Sequence, residues 1–94
     1  MAITIVKHEV KDFGTWKRGY DDFASFRKEG GVMGASVHRD LENPNMVTVI
    51  HKYGSLGEAQ AFISSDDLKE AMGKLGVIMP PEIWIGEDVE STPY

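Results

Sequence analysis

The sequence predicts an α+β fold of ferredoxin-like βαββαβ topology, working as a homodimer. Three observations lead there. The chain has 94 residues, enough for one domain and little more. Its hydrophobic periodicity alternates between two and 3.6 in the order strand, helix, strand, strand, helix pair, strand. Its first strand is apolar on both faces, so a single layer of helices leaves one face uncovered.

The elements follow in order. Ile3 to Val10 is rich in β-branched residues and holds no Gly or Pro, which predicts a strand. At a period of two, Thr4, Val6, His8 and Val10 share one face, and Ile3, Ile5, Lys7 and Glu9 the other. Asp12 stands where an N-cap belongs. Phe13, Trp16, Tyr20, Phe23 and Arg27 then recur at spacings that stack them on one side of a long helix. Gly30-Gly31 is the expected stop.

Val32 to Asp40 and Met46 to Tyr53 read as two strands around the turn Glu42-Asn43-Pro44-Asn45, and so as a hairpin. Ser55-x-x-Glu58 is a capping box that opens a helix through Phe62 and Ile63. Ser64-Ser65-Asp66 interrupts and re-caps it, and Leu68, Ala71, Met72 and Leu75 form a second amphipathic stretch ended by Gly76. Pro80-Pro81 is expected to be a rigid connector and Glu82 to Val89 the last strand. The domain is expected to span residues 1–90, with 91–94 a loose tail. A right-handed crossover leaves a gap for the hairpin partner, giving a four-stranded antiparallel sheet with helices on one face. A second copy stacked on the open sheet face is the simplest cover.

Composition removes several classes of function. Hydrophobic residues make up 41% and charged residues 27%, an ordinary globular balance. With no cysteine there are no disulfides, thiolate nucleophiles or cysteine metal sites, which fits a reducing, cytoplasmic compartment. Met1 to Val10 lacks the pattern of a signal peptide. No apolar run nears the roughly 20 residues of a membrane span. The net charge is −5, from 15 carboxylates against 10 Lys and Arg. The basic residues are scattered, so neither nucleic acid nor an anionic membrane is an expected partner.

The run Val6-x-His8-x-Val10-x-Asp12-Phe13-x-x-Trp16, then Arg27 with Gly30, then Arg39-x-x-x-Asn43-Pro44-Asn45-x-Val47, resembles the dimeric α/β barrel superfamily. The members in question are small bacterial proteins of the antibiotic biosynthesis monooxygenase-like or "cyclase"-like kind. The resemblance covers nearly the whole chain, through Pro81-Glu82 and the final strand. It implies the fold and a homodimer built through the sheet face. For activity it implies a range: cofactor-free oxygenases, haem-degrading enzymes, polyketide cyclases, lactone isomerases and chlorite dismutases. Where the cyclases carry a histidine near the late helix, this chain has Ser65, Asp66 and Asp67, and it lacks an Asn-His-Trp haem set.

Candidate chemistry centres on the first strand and first helix. His8 and Tyr20 are the catalytic candidates: a strand histidine on a mostly apolar face can act as acid or base, and a tyrosine hydroxyl can donate a hydrogen bond. Trp16, Arg27 and His51 are the substrate-binding candidates, with Arg27 suited to an anionic group. Each has a plainer reading. His8 can be a core histidine tied to a backbone carbonyl, Trp16 and Tyr20 plain core, and Arg27 a stem whose head reaches solvent or a nearby acid. Trp16 and Tyr20 can wall a pocket between the first helix and the sheet, and Trp84 can line that pocket or face the dimer seam. His8, His38 and His51 lie on three strands without close ligand spacing, so no metal site is expected. Gly30-Gly31 lacks a phosphate-loop context, and no serine lies in a G-x-S-x-G setting; no cofactor is expected. Two functions are open: a cofactor-independent monooxygenase or cyclase acting on a small aromatic or polyketide-like molecule, and a non-catalytic ligand-binding or stress-related dimer.

Overall fold

The computed structural model describes residues 1–94. Its elements are β1 (Ala2–Val10), α1 (Phe13–Asp22), α2 (Ala24–Glu29), β2 (Val32–Arg39), β3 (Met46–Tyr53), α3 (Leu56–Ser64), α4 (Asp66–Lys74) and β4 (Val77–Glu87). The sheet order is β2-β3-β1-β4, antiparallel throughout, with the β2-β3 hairpin filling the gap beside β1. This is the ferredoxin-like βαββαβ arrangement, with all four helices on one face.

Alternation decides which face the helices take. Ala2, Thr4, His8 and Val10 of β1 and Val47, Val49, His51 and Tyr53 of β3 are buried. They meet side by side, Ala2 opposite Tyr53, Thr4 opposite His51, Val6 opposite Val49 and His8 opposite Val47. A one-residue slip would turn this whole set outward, so burial of the face fixes the register. The core has two clusters beneath the helices. One gathers Trp16 and Tyr20 against Val10, Val47, Val49 and Val77. The other gathers Ala59 and Phe62 against Ala2 and Tyr53.

The caps form where the residue types demand. Asp12 accepts from the Thr15 N–H at 2.9 Å, and Asn45, from the hairpin turn, accepts from the Phe13 N–H at 3.0 Å. Ser55 and Ser65 cap α3 and α4 through the Glu58 and Leu68 N–H groups. Gly31 has φ +93°, and a Cβ there would run into the Glu58 carboxylate, so this turn accepts glycine alone.

Two expectations need correction. The first helix is broken at Phe23 into α1 and α2, which turns Phe26 toward Phe62 at 5.4 Å. Pro80-Pro81 is no connector. β4 begins at Val77 and runs through both prolines, with a register shift against β1 between Lys7 and Glu9. β4 pairs only with β1, and prolines are tolerated on an edge strand at a bulge.

Candidate active site

A cavity of about 70 Å³ lies between the helix layer and the sheet. Its floor comes from β1 and β3, where period-two alternation delivers Thr4, Val6, His8, Val49, His51 and Tyr53 to one surface. The helical spacing of α1 and α2 hangs Trp16, Tyr20 and Arg27 over that floor, and α4 closes the far side with Leu68 and Met72. The cavity is not sealed, because Ile83 of β4 stands at its edge 42% exposed.

All five site residues expected from the sequence line this one space: His8, Trp16, Tyr20, Arg27 and His51. Their rings form a connected series. His8 meets Trp16 edge-on at 5.6 Å, and Trp16 lies against Tyr20 at 4.9 Å. The Tyr20 hydroxyl is 2.8 Å from His51 Nε2, a buried hydrogen bond joining α1 to β3. Arg27 stacks its guanidinium on the Tyr20 ring at 3.6 Å and donates to the Tyr20 carbonyl. The acidic partner considered for Arg27 is absent, since none of the salt bridges includes it.

Burial sets the protonation states. It lowers the His51 pKa from 6.5 to about 4, with the Arg27 charge adding to the effect. Burial also raises Tyr20, against the opposing pull of Arg27. Both partners of the 2.8 Å bond are therefore neutral at pH 7. Burial lowers His8 too, and the nearness of its own main chain offsets part of that. The expected tie from His8 to a backbone carbonyl of a neighbouring element is not made: Nδ1 is buried and accepts or donates no hydrogen bond. A buried unpaired nitrogen costs about 1–3 kcal/mol, so a group kept in that state is either strained core or waiting for a ligand. Its place in a cavity wall favours the ligand.

Two wall residues escaped the sequence reading. Thr4 and Tyr53, both fully buried, share a 3.2 Å hydrogen bond between hydroxyls on the floor. Thr4 shared a strand face with His8, which was the available signal. Tyr53 sits at a strand end, where no pattern distinguishes it. Trp84 lies elsewhere: it pairs with Ile5 on the opposite sheet face, 53% exposed, with its indole over Gly86. His38 faces away from the cavity as well, bonded to Ser36 at 2.9 Å, so the three histidines do not converge.

No family model matches the sequence, and no curated protein matches it. Solved structures do. An antibiotic biosynthesis monooxygenase-like protein of Bordetella bronchiseptica superposes with a TM-score of 0.78 at 18% identity, over 95% of this chain and 97% of that one. SnoaB, a cofactor-independent oxygenase of Streptomyces nogalater, gives 0.78 at 10% identity, over 99% and 97%. A Deinococcus radiodurans protein of the same kind gives 0.71 at 17%, over 100% and 98%. Identities this low carry the architecture and not the reaction. The chain has the fold of the antibiotic biosynthesis monooxygenase-like proteins.

Proposed function

We propose that this protein is a cytoplasmic, homodimeric, cofactor-independent oxygenase acting on a small aromatic molecule held between α1 and the sheet. The carrying observation is the convergence of His8, Tyr20, His51 and Arg27 on one apolar, partly open cavity. His8, neutral at pH 7 and unpaired at Nδ1, removes a proton from an acidic C–H or O–H of the substrate. Tyr20 and Arg27 orient the substrate so that its acidic group meets His8. The resulting electron-rich anion is a species that dioxygen oxidises directly. For a methylene, CH2 plus O2 gives C=O plus H2O; for a phenol, the O–H and an ortho or para ring C–H plus O2 give a quinone plus H2O.

The dimer belongs to the same reading. Ile3, Ile5, Ile50 and Trp84 occupy the sheet face without helices, and a second copy would cover them.

The test is oxygen uptake with a panel of one- and two-ring phenols. Wild type should consume oxygen with at least one of them, and His8→Ala should lower kcat by roughly a hundredfold or more while binding persists. Binding without uptake in wild type would instead assign the non-catalytic ligand-binding role.

A further inference from the structure

We propose that the ligand is a single-ring aromatic acid carrying a second polar group opposite its carboxylate, with the carboxylate on Arg27 and the other group on His8. This rests on the reading of the cavity as a small-molecule site. Three independent observations narrow the occupant.

Charge comes first. The cavity lining contains one permanently charged side chain, Arg27, and no carboxylate. A guanidinium has five N–H donors. Here one is used, toward the Tyr20 carbonyl, and the ring face beneath it orients the rest. An arginine in an apolar wall without a counterion is a seat for an anionic oxygen, and its planar fork fits a carboxylate.

Position comes second. His51, bonded to Tyr20 on the Arg27 side, pairs across the sheet with Thr4. His8 lies four residues further along β1, roughly 13 Å at strand rise. His8 therefore stands toward one end of the floor while Arg27 hangs over the other end, near enough to His51 for its charge to be felt there, and the wall between them is aromatic, with Trp16 and Tyr20 in contact. That spacing suits one ring with a polar group at each end.

Volume comes third. An engineered cavity of about 150 Å³ holds benzene. The cavity here is about 70 Å³. One ring enters if Met72, an adaptable side chain, and Leu75, both partly buried in the lining, shift outward. A fused second ring needs a still larger opening.

The experiment is an NMR titration of the full chain at pH 7, read at the Trp16 indole N–H, with 4-hydroxybenzoate, its neutral amide 4-hydroxybenzamide, benzoate, which lacks the hydroxyl and should bind more weakly, and the two-ring 6-hydroxy-2-naphthoate. The acid should bind roughly tenfold tighter than the amide or better, the margin of a charge-assisted pair. The naphthoate should bind more weakly than the one-ring acid. Arg27→Gln should erase the acid–amide margin, weakening the acid far more than the amide. His8→Phe should erase the advantage of 4-hydroxybenzoate over benzoate. Equal affinity for acid and amide in wild type overturns the anion seat and leaves the small-molecule site standing. A tighter naphthoate overturns the single-ring limit. No binding by any probe overturns both the inference and the reading beneath it. The wild-type comparison decides the case even if a variant fails to fold.

Discussion

At the scale of single residues, the wall of the cavity sets stability against pH. His51 has a folded-state pKa of about 4 against 6.5 for a free histidine, because burial and the Arg27 charge oppose its protonation. The unfolded chain therefore binds the proton more readily. Stability is complete above pH 6.5 and declines as pH falls toward about 4. At about 1.4 kcal/mol per pH unit, the loss across that window is roughly 3 kcal/mol. His8, also lowered, adds in the same direction. Urea titrations at pH 7, 5.5 and 4.5 should show this decline in wild type and a flatter one in His51→Gln, whose amide can still meet the Tyr20 hydroxyl. Parallel profiles for the two proteins would show that His51 does not couple to folding. His8 and Arg27 stood out in the sequence because each broke an apolar pattern. The sequence could not say what they break it for, since a partner depends on elements distant along the chain.

Elements hold that wall in place through their ends. The short helix α4 supplies Leu68 and Met72 to the cavity, and the Ser65 hydroxyl caps it by accepting from the Leu68 N–H at 3.1 Å. Helices this short are marginal alone and rely on caps and packing. Ser65→Ala should lower unfolding free energy by about 1 kcal/mol, seen as a shifted urea midpoint with unchanged slope. Ser91→Ala, in the terminal stretch without helix or strand, should leave the midpoint where it was. Equal midpoints for all three proteins would mean the cap contributes nothing. Cap residues and glycine stops were legible because their chemistry is local. The break at Phe23 and the passage of β4 through Pro80-Pro81 were not, because neighbours decide them. Phe23 yields to the packing of Phe26 on Phe62, and the prolines are tolerated only because β4 lies at the sheet edge.

The whole molecule has one face finished and one open. Helices cover Thr4, His8, Val49 and His51, while Ile5, Ile50 and Trp84 lie on the other side of the same strands. Trp84 is the large group on that face, and aromatic anchors dominate interfaces. Sedimentation analysis should give wild type twice the chain mass. Trp84→Glu should shift it toward the monomer, since a buried unpaired charge is strongly unfavourable. The same change should leave the far-UV spectrum intact, because Trp84 takes no part in the helix-side core. A monomeric wild type would remove the dimer from the proposed function.

The order of elements, the hairpin turn, the caps and the two-faced first strand were all determined by the sequence itself, because they rest on local propensity and on periods of two and 3.6. Tertiary structure alone decided that Tyr20 and His51 share a hydrogen bond, that Arg27 stacks on Tyr20 rather than on an acid, that His8 Nδ1 is left without a partner, and that Trp84 turns away from the cavity. Those facts depend on strand register and on how far helices stand from the sheet. Such distances are set by the packing of side chains far apart in sequence, which no local pattern encodes.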